Sequence, residues 1–165
     1  MIKYLYGKKQ FLEPIVKGNI SPRFSDLSHY ARLENDLMRD EETKKEFFWN
    51  KNVGKYFING HQIANESLAS DINVKIMPRH CYCLCLSSKK NCPKLFRRFN
   101  ADYCIAIDVE LLIESLEITF GQELGRLLFH HSEITYYSKY ENLIGLTPEQ
   151  LVFYKPDVFL VEAEQ

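Results

Sequence analysis

Near the C-terminal end of the sequence, Glu162 and Glu164 stand two residues apart in DVFLVEAEQ, a run that is otherwise mostly apolar. Residues i and i+2 of a β-strand share a face, so this spacing sets two carboxylates side by side. Two carboxylates that close repel one another when both are ionised. One of them then keeps its proton to higher pH, which is what general acid or base work near neutrality requires, and burial strengthens the effect. Such a pair suits holding a ribose or taking up a proton. The competing reading is a solvated chain end with both glutamates in water.

Other residue types in the chain point to anions and metals. Ser87, Ser88, Lys89 and Lys90 follow an apolar segment directly. Their hydroxyls and backbone donors could gather anionic oxygens, although the run lacks the glycines of a phosphate loop and also reads as an ordinary turn. His29, beside Tyr30 and Arg32 at a helix start, is a group able to meet a phosphate, or else a plain surface residue. Cys81, Cys83 and Cys85 alternate along one short segment, with His80 adjacent and Cys92 and Cys104 further on. Structural zinc takes ligand pairs on turns, whereas sulfurs spaced along a strand form a line that does not close a tetrahedron. No metal is expected, and the thiols read as small, reduced, space-filling groups on a sheet face. His130 and His131 face opposite sides of a strand, so only one of them can enter a given pocket. Asp36, Asp40, Glu41 and Glu42 are dense enough to suggest a nuclease metal site, but they look like one solvated helix face.

A chain of 165 residues with 45% hydrophobic content is sized for a single domain, 1–165, with a substantial core. Its 21 basic and 22 acidic side chains nearly cancel, so charge gives no support to a nucleic acid or an anionic membrane as partner. The opening MIKYLYGKK has no apolar signal core, and no apolar run approaches the length needed to span a bilayer. A cytoplasmic location is the expectation.

The elements that must position these groups are read from periodicity. IKYLY is a first strand, and KKQFLEPIVKG a short helix closed by Gly18, with Pro14 expected near its first turn. Ser25 or Ser28 is expected to cap a helix running through HYARLENDLMRDEETKKEFFW. KYFINGHQIA has Asn59 and Gly60 between two apolar runs, a hairpin signal. VKIMPRHCYCLCLSS holds two strands split by Pro78, Lys90 to Phe99 is a short helix begun by Asn91 and Pro93, and DYCIAID is a central strand. VELLIESLEITFG is a helix ending at Gly121 or Gly125, and LLFHHSEITYYS returns as strand. Thr147 and Gln150 form a capping box for a last helix. Strands flanked by short helices without a βαβ rhythm imply an α+β fold around a mixed or antiparallel split sheet.

Three segments together resemble the DUF2971-type proteins of bacteria and phages. They are IKYL with FLEPIVKGNI and RLENDLMRDEE, then CLCLSSKKNCPKLFRRFNADYCIAID, then EITYYS with FYKPDVFLVEAEQ. The order and spacing of these segments carry the resemblance. The same architecture is distantly similar to the ADP-ribosyltransferase group, in which a cleft between two small sheets binds NAD and an E-x-E strand supplies the catalytic glutamate.

That resemblance implies NAD as substrate, with Glu164 catalytic, holding the nicotinamide ribose and steadying its oxocarbenium-like charge, and Glu162 orienting the acceptor. It further implies cofactor-binding roles for Ser87 or Ser88 as the strand serine, for Tyr30 stacking on nicotinamide and for Arg32 near the pyrophosphate, with His29 beside them. The first-strand arginine or histidine of many transferases has no counterpart here, and Lys3 and Tyr4 occupy its region. The expected activity is transfer of ADP-ribose to a macromolecular acceptor in phage and bacterial conflict, with a macromolecule or a host protein as partner. The alternative is a non-catalytic protein that binds and inhibits such a partner.

Overall fold

The computed structural model describes residues 1–32, 43–120, 129–138, 140, 143 and 145–157. Glu162 and Glu164 lie outside the described residues, as do Asp36, Asp40, Glu41, Glu42, Gly121 and Gly125. The chain divides into two compact units, Met1–Asp40 with Cys81–His131 and Glu41–His80 with Ser132–Gln165. Each unit is therefore closed by two separate stretches of chain.

In the first unit, strand β1 (Ile2–Gly7) pairs antiparallel with β8 (Tyr103–Asp108), with Leu5 opposite Ile105 and Tyr6 opposite Cys104. Ser87 bridges to Tyr4 on the other edge of β1. Among the described residues it is thus β1, rather than the more apolar β8, that has partners on both sides. Helix α1 (Lys9–Val16) lies over this sheet and buries Leu12 against Ile105 and Ile107, with Leu5, Ile15, Leu86 and Leu112 around them. Burial of each such side chain contributes about 1.5–3 kcal/mol.

The ends of α1 are fixed from outside and inside. Asp102, just before β8, accepts from the Lys9 N–H at 2.6 Å and supplies the cap that Lys8 does not. At the other end Gly18 takes φ +72°, its N–H reaches the Ile15 carbonyl, and the Asn19 N–H reaches the Pro14 carbonyl. These two bonds form a Schellman stop, which favours glycine at this position. Pro14 lies in the body of the helix and not in its first turn as the sequence suggested. Because the helix runs for only eight residues, the donor that Pro14 lacks removes one bond near its end.

Helix α3 (Pro93–Arg98) opens with Pro93 in its first turn and closes on Asn100 at φ +47°, with the Ala101 N–H on the Phe96 carbonyl. Phe96 and Phe99 stack around Tyr6, at ring separations of 5.1 and 6.3 Å. Helix α4 (Val109–Phe120) follows β8 directly, and Asp108 accepts from the Glu110 N–H. The N-terminal ammonium pairs with both Asp108 and Glu110. Short strands β2 (Ser25–Asp26) and β7 (Tyr82–Cys83) pair antiparallel, and α2 (Leu27–Ala31) follows β2. Its cap is Asp26, which accepts from the Ser28 N–H at 2.8 Å, and neither Ser25 nor Ser28 has that role.

The second unit is built on β3 (Lys45–Trp49) paired antiparallel with β6 (Ile72–Ile76). The sequence placed KEFFW at the end of a long helix, and the structure makes it a strand. Alternation decides this: Lys45 and Phe47 are buried on one face while Phe48 stays partly exposed on the other, and bulky aromatics suit a pleated surface. Strands β4 (Tyr56–Ile58) and β5 (His61–Ile63) form the expected hairpin, with Asn59 at φ +51° and Gly60 at φ +80°. Strand β9 (Thr135–Tyr137) runs parallel to β10 (Tyr154–Pro156).

Thr147 and Gln150 form the expected reciprocal cap, Gln150 Oε1 accepting from the Thr147 N–H at 2.8 Å and Thr147 Oγ1 from the Gln150 N–H at 3.3 Å. They introduce a 3₁₀ turn over Gln150–Phe153 and not a full helix. Phe47, Tyr137, Leu143 and Leu151 make the core of this unit, with Trp49, Val74, Ile76, Leu146 and Tyr154 packed around it. The whole is a mixture of α and β with short, largely antiparallel sheets and few helices.

Candidate functional site

The residues with the richest polar chemistry in the first unit meet where the chain leaves the edge of β1 and turns into α3. Ser87 and Tyr4 exchange two backbone hydrogen bonds of 2.8 Å, which fixes the register of this edge. Side chains alternate across a strand, so Lys3 lies on the face of Ser88 and Tyr4 on that of Ser87. Lys3 Nζ accordingly donates to Ser88 Oγ at 2.6 Å. One residue on, Ser87 Oγ accepts from the Lys89 N–H at 3.0 Å and tightens the turn.

Tyr6 holds the other end of this turn. Its hydroxyl donates to the Lys89 carbonyl and accepts from the Cys92 N–H at 2.9 Å. Burial raises the Tyr6 phenol above its ordinary value, and the neighbouring Cys104 adds to the rise against the lowering bond from Cys92. Cys92 precedes α3, and the Leu95 N–H, then the Lys94 N–H and the charges of Lys89 and Lys94, hold its thiol below the ordinary value against a smaller desolvation cost. The thiolate is therefore favoured at Cys92 and the phenolate disfavoured at Tyr6. From Cys81 to Ala101 the sequence carries Lys89, Lys90, Lys94, Arg97 and Arg98 and no acidic residue. Lys8 joins the same region by donating to Asn100 Oδ1 at 3.1 Å. On their face of the strand, Lys3 and the Ser88 hydroxyl, followed by the cationic turn, can attract a phosphate through charge and hydroxyl donors.

Of the residues singled out from sequence, Ser87 and Ser88 are brought to this corner. His29 and Tyr30 lie on α2 and Arg32 directly follows it, exposed, with its N–H on the His29 carbonyl at 3.1 Å. The α2 segment joins the same unit through the β2–β7 pairing. His130 and His131 are exposed. Among the described residues no group of three or more His, Cys, Asp or Glu side chains is arranged to hold a metal.

Sequence reasoning passed over Lys3, Tyr6 and Cys92 as members of one site. They lie 85 and 86 residues from their partners, and only the alternation of Tyr4 and Tyr6 on β1 hinted that one face of that strand carries hydroxyls. The first unit also has an open groove of about 400 Å³ between α1, β8 and α4, lined by Ile15, Val16, Ile107, Leu111 and Leu112. It is largely apolar and includes none of the candidate residues. No described helix is long and apolar enough to cross a membrane. No protein-family model, curated protein or solved structure matches this chain.

Proposed function

We propose that the protein binds NAD, cleaves the glycosidic bond between ribose and nicotinamide, and transfers ADP-ribose to a macromolecular acceptor. The observation that carries this reading is the hydrogen bond from Lys3 to Ser88. In the transferases this chain resembles, an arginine or histidine often stands on the first strand and a strand serine supports the catalytic glutamate; this chain has Lys3 in place of the former. Here a first-strand lysine and a strand-edge serine meet at 2.6 Å, beside a turn rich in cations. Lysine is a point charge and not a planar fork, so it serves a phosphate or a ribose hydroxyl through one donor rather than two.

Bond cleavage sends the shared electron pair to the nicotinamide nitrogen and leaves a cationic ribose. The carboxylate of Glu164 offsets that developing charge, and Glu162 orients the acceptor nucleophile that takes the anomeric carbon. A fixed negative group aimed at a charge that appears only in the transition state lowers the barrier selectively.

The experiment is NAD binding by isothermal calorimetry on the wild type, Glu164→Gln and Lys3→Gln, with nicotinamide release followed in parallel. Glu164→Gln is expected to bind NAD as the wild type does and to release nicotinamide about 100-fold more slowly. Lys3→Gln is expected to weaken binding roughly tenfold. Release that is indifferent to Glu164→Gln overturns the transferase reading.

A second reading, a non-catalytic protein that occupies a partner's surface, is favoured by the β4–β5 hairpin. Phe57 and Ile58 there are 60% and 61% exposed, one on each face of the strand. Absence of both NAD binding and nicotinamide release from the wild type selects it.

A further inference from the structure

The thiols of Cys81 and Cys83 approach to 3.4 Å between sulfurs, and both are partly buried. Same-face neighbours on an extended strand have Cα atoms about 6.6 Å apart, near the upper limit for a disulfide. From spacing alone these two therefore read as separate, unbridged groups. The structure brings the sulfurs together because Cys83 lies in β7 opposite Ser25, whereas Cys81 precedes the strand and is tied to its neighbour through its carbonyl, which accepts from the Leu27 N–H at 3.0 Å. A shift of little more than an ångström separates the two sulfurs from bonding distance.

We infer that Cys81 and Cys83 form a reversible dithiol–disulfide pair that responds to hydroperoxides. One thiolate attacks the peroxide, its sulfur is oxidised to a sulfenic acid, and the O–O bond breaks with release of water or an alcohol. The second thiol then attacks that sulfur, the S–S bond forms, and the sulfenic oxygen leaves as water. The peroxide accepts the two electrons, and a small dithiol returns them by exchange. A ring closed over a single intervening residue is strained, so the bond is easily reduced, as regulatory disulfides are. The pair sits where β7 meets the start of α2, because the Cys81 carbonyl holds the N–H of Leu27, the first residue of that helix. Oxidation at Cys81 thus acts on the anchor of the helix that carries His29 and Tyr30.

Cys85 is the internal control, since it follows at the same spacing and is exposed. The test treats the reduced full chain with hydrogen peroxide, blocks remaining thiols with N-ethylmaleimide, and reads the tryptic peptide HCYCLCLSSK by mass spectrometry. The expected product lacks two hydrogen atoms and carries one maleimide, placed on Cys85 by fragmentation. Its formation in native protein is expected to be roughly tenfold faster than in urea, where the proximity is lost. Cys85→Ser is expected to form the same Cys81–Cys83 bridge at the same rate, in a peptide that carries no maleimide. A bridge that joins Cys85 to either neighbour, independent oxidation of all three cysteines to sulfinic acids, or equal rates in native and unfolded chain overturns the inference. The peptide readout is independent of NAD chemistry.

Discussion

At the residue scale, an ion pair in the second unit offers a direct electrostatic check. Arg79 Nη1 lies 2.5 Å from Glu149 Oε1, and the Arg79 N–H reaches the neighbouring Pro148 carbonyl at 3.0 Å. The hydrogen bond from Arg79 holds the Glu149 carboxyl below the usual carboxylate range, with its own backbone N–H and Thr147 assisting. A carboxylate with a depressed folded-state pKa contributes stability that is complete above its unfolded value and lost as pH falls through the folded one. The pair is solvent-exposed, so its share of the stability is small and screened by salt. In an NMR pH titration, the Glu149 side-chain carbonyl is expected to titrate below the usual carboxylate range. Arg79→Gln is expected to raise that midpoint, and a midpoint unmoved by that substitution contradicts the assignment.

At the scale of elements, the hairpin turn is the cleanest case of backbone chemistry setting structure. Asn59 and Gly60 both take left-handed φ values, the pattern whose twist matches that of the flanking strands β4 and β5. Nothing stands within 4 Å of a Cβ built on Gly60, so space does not oppose a side chain there and the conformation does. Gly60→Ala is expected to destabilise the protein by about 1 kcal/mol. A lower urea midpoint with an unchanged slope is the measurement that checks it, and an unchanged midpoint sinks the argument. The same logic explains two helix ends: Gly18 and Asn100 stop α1 and α3 with the same pair of closing bonds.

For the whole molecule, the decisive feature is that each unit is assembled from two stretches far apart in sequence. β1 has no described partner until Ser87 and then β8 arrive, about eighty and a hundred residues later, and Leu12 has no core without Ile105 and Ile107. A fragment of residues 1–80 keeps β1 and α1 but loses β7, β8, α3 and α4. It is expected to give a narrow, unfolded amide spectrum and no cooperative thermal transition. A dispersed spectrum from that fragment would show that local propensity alone sustains the fold. The full chain, by contrast, has to close these long loops before the contacts reward it, a topology that slows folding.

Local signals were enough wherever a few neighbouring residues decide the outcome. The Asn-Gly turn, the Thr147–Gln150 cap, the glycine stop of α1 and the strand and helix at DYCIAIDVELLIESLEITF all follow from φ preferences, short-range hydrogen bonds and hydrophobic period, and the sequence alone determined them. Tertiary structure decided what depends on a distant partner. KEFFW became a strand because β6 and the core around Tyr137 and Leu151 reward its buried face over helix propensity. Asp102 became a helix cap through geometry that no local pattern announces, whereas Asp26 is an ordinary N-cap residue directly before Leu27. Lys3 met Ser88, and Tyr6 met Cys92, only because β1 pairs at both edges, and backbone pairing sets the register that brings each side chain, on its own face of the strand, to its remote partner.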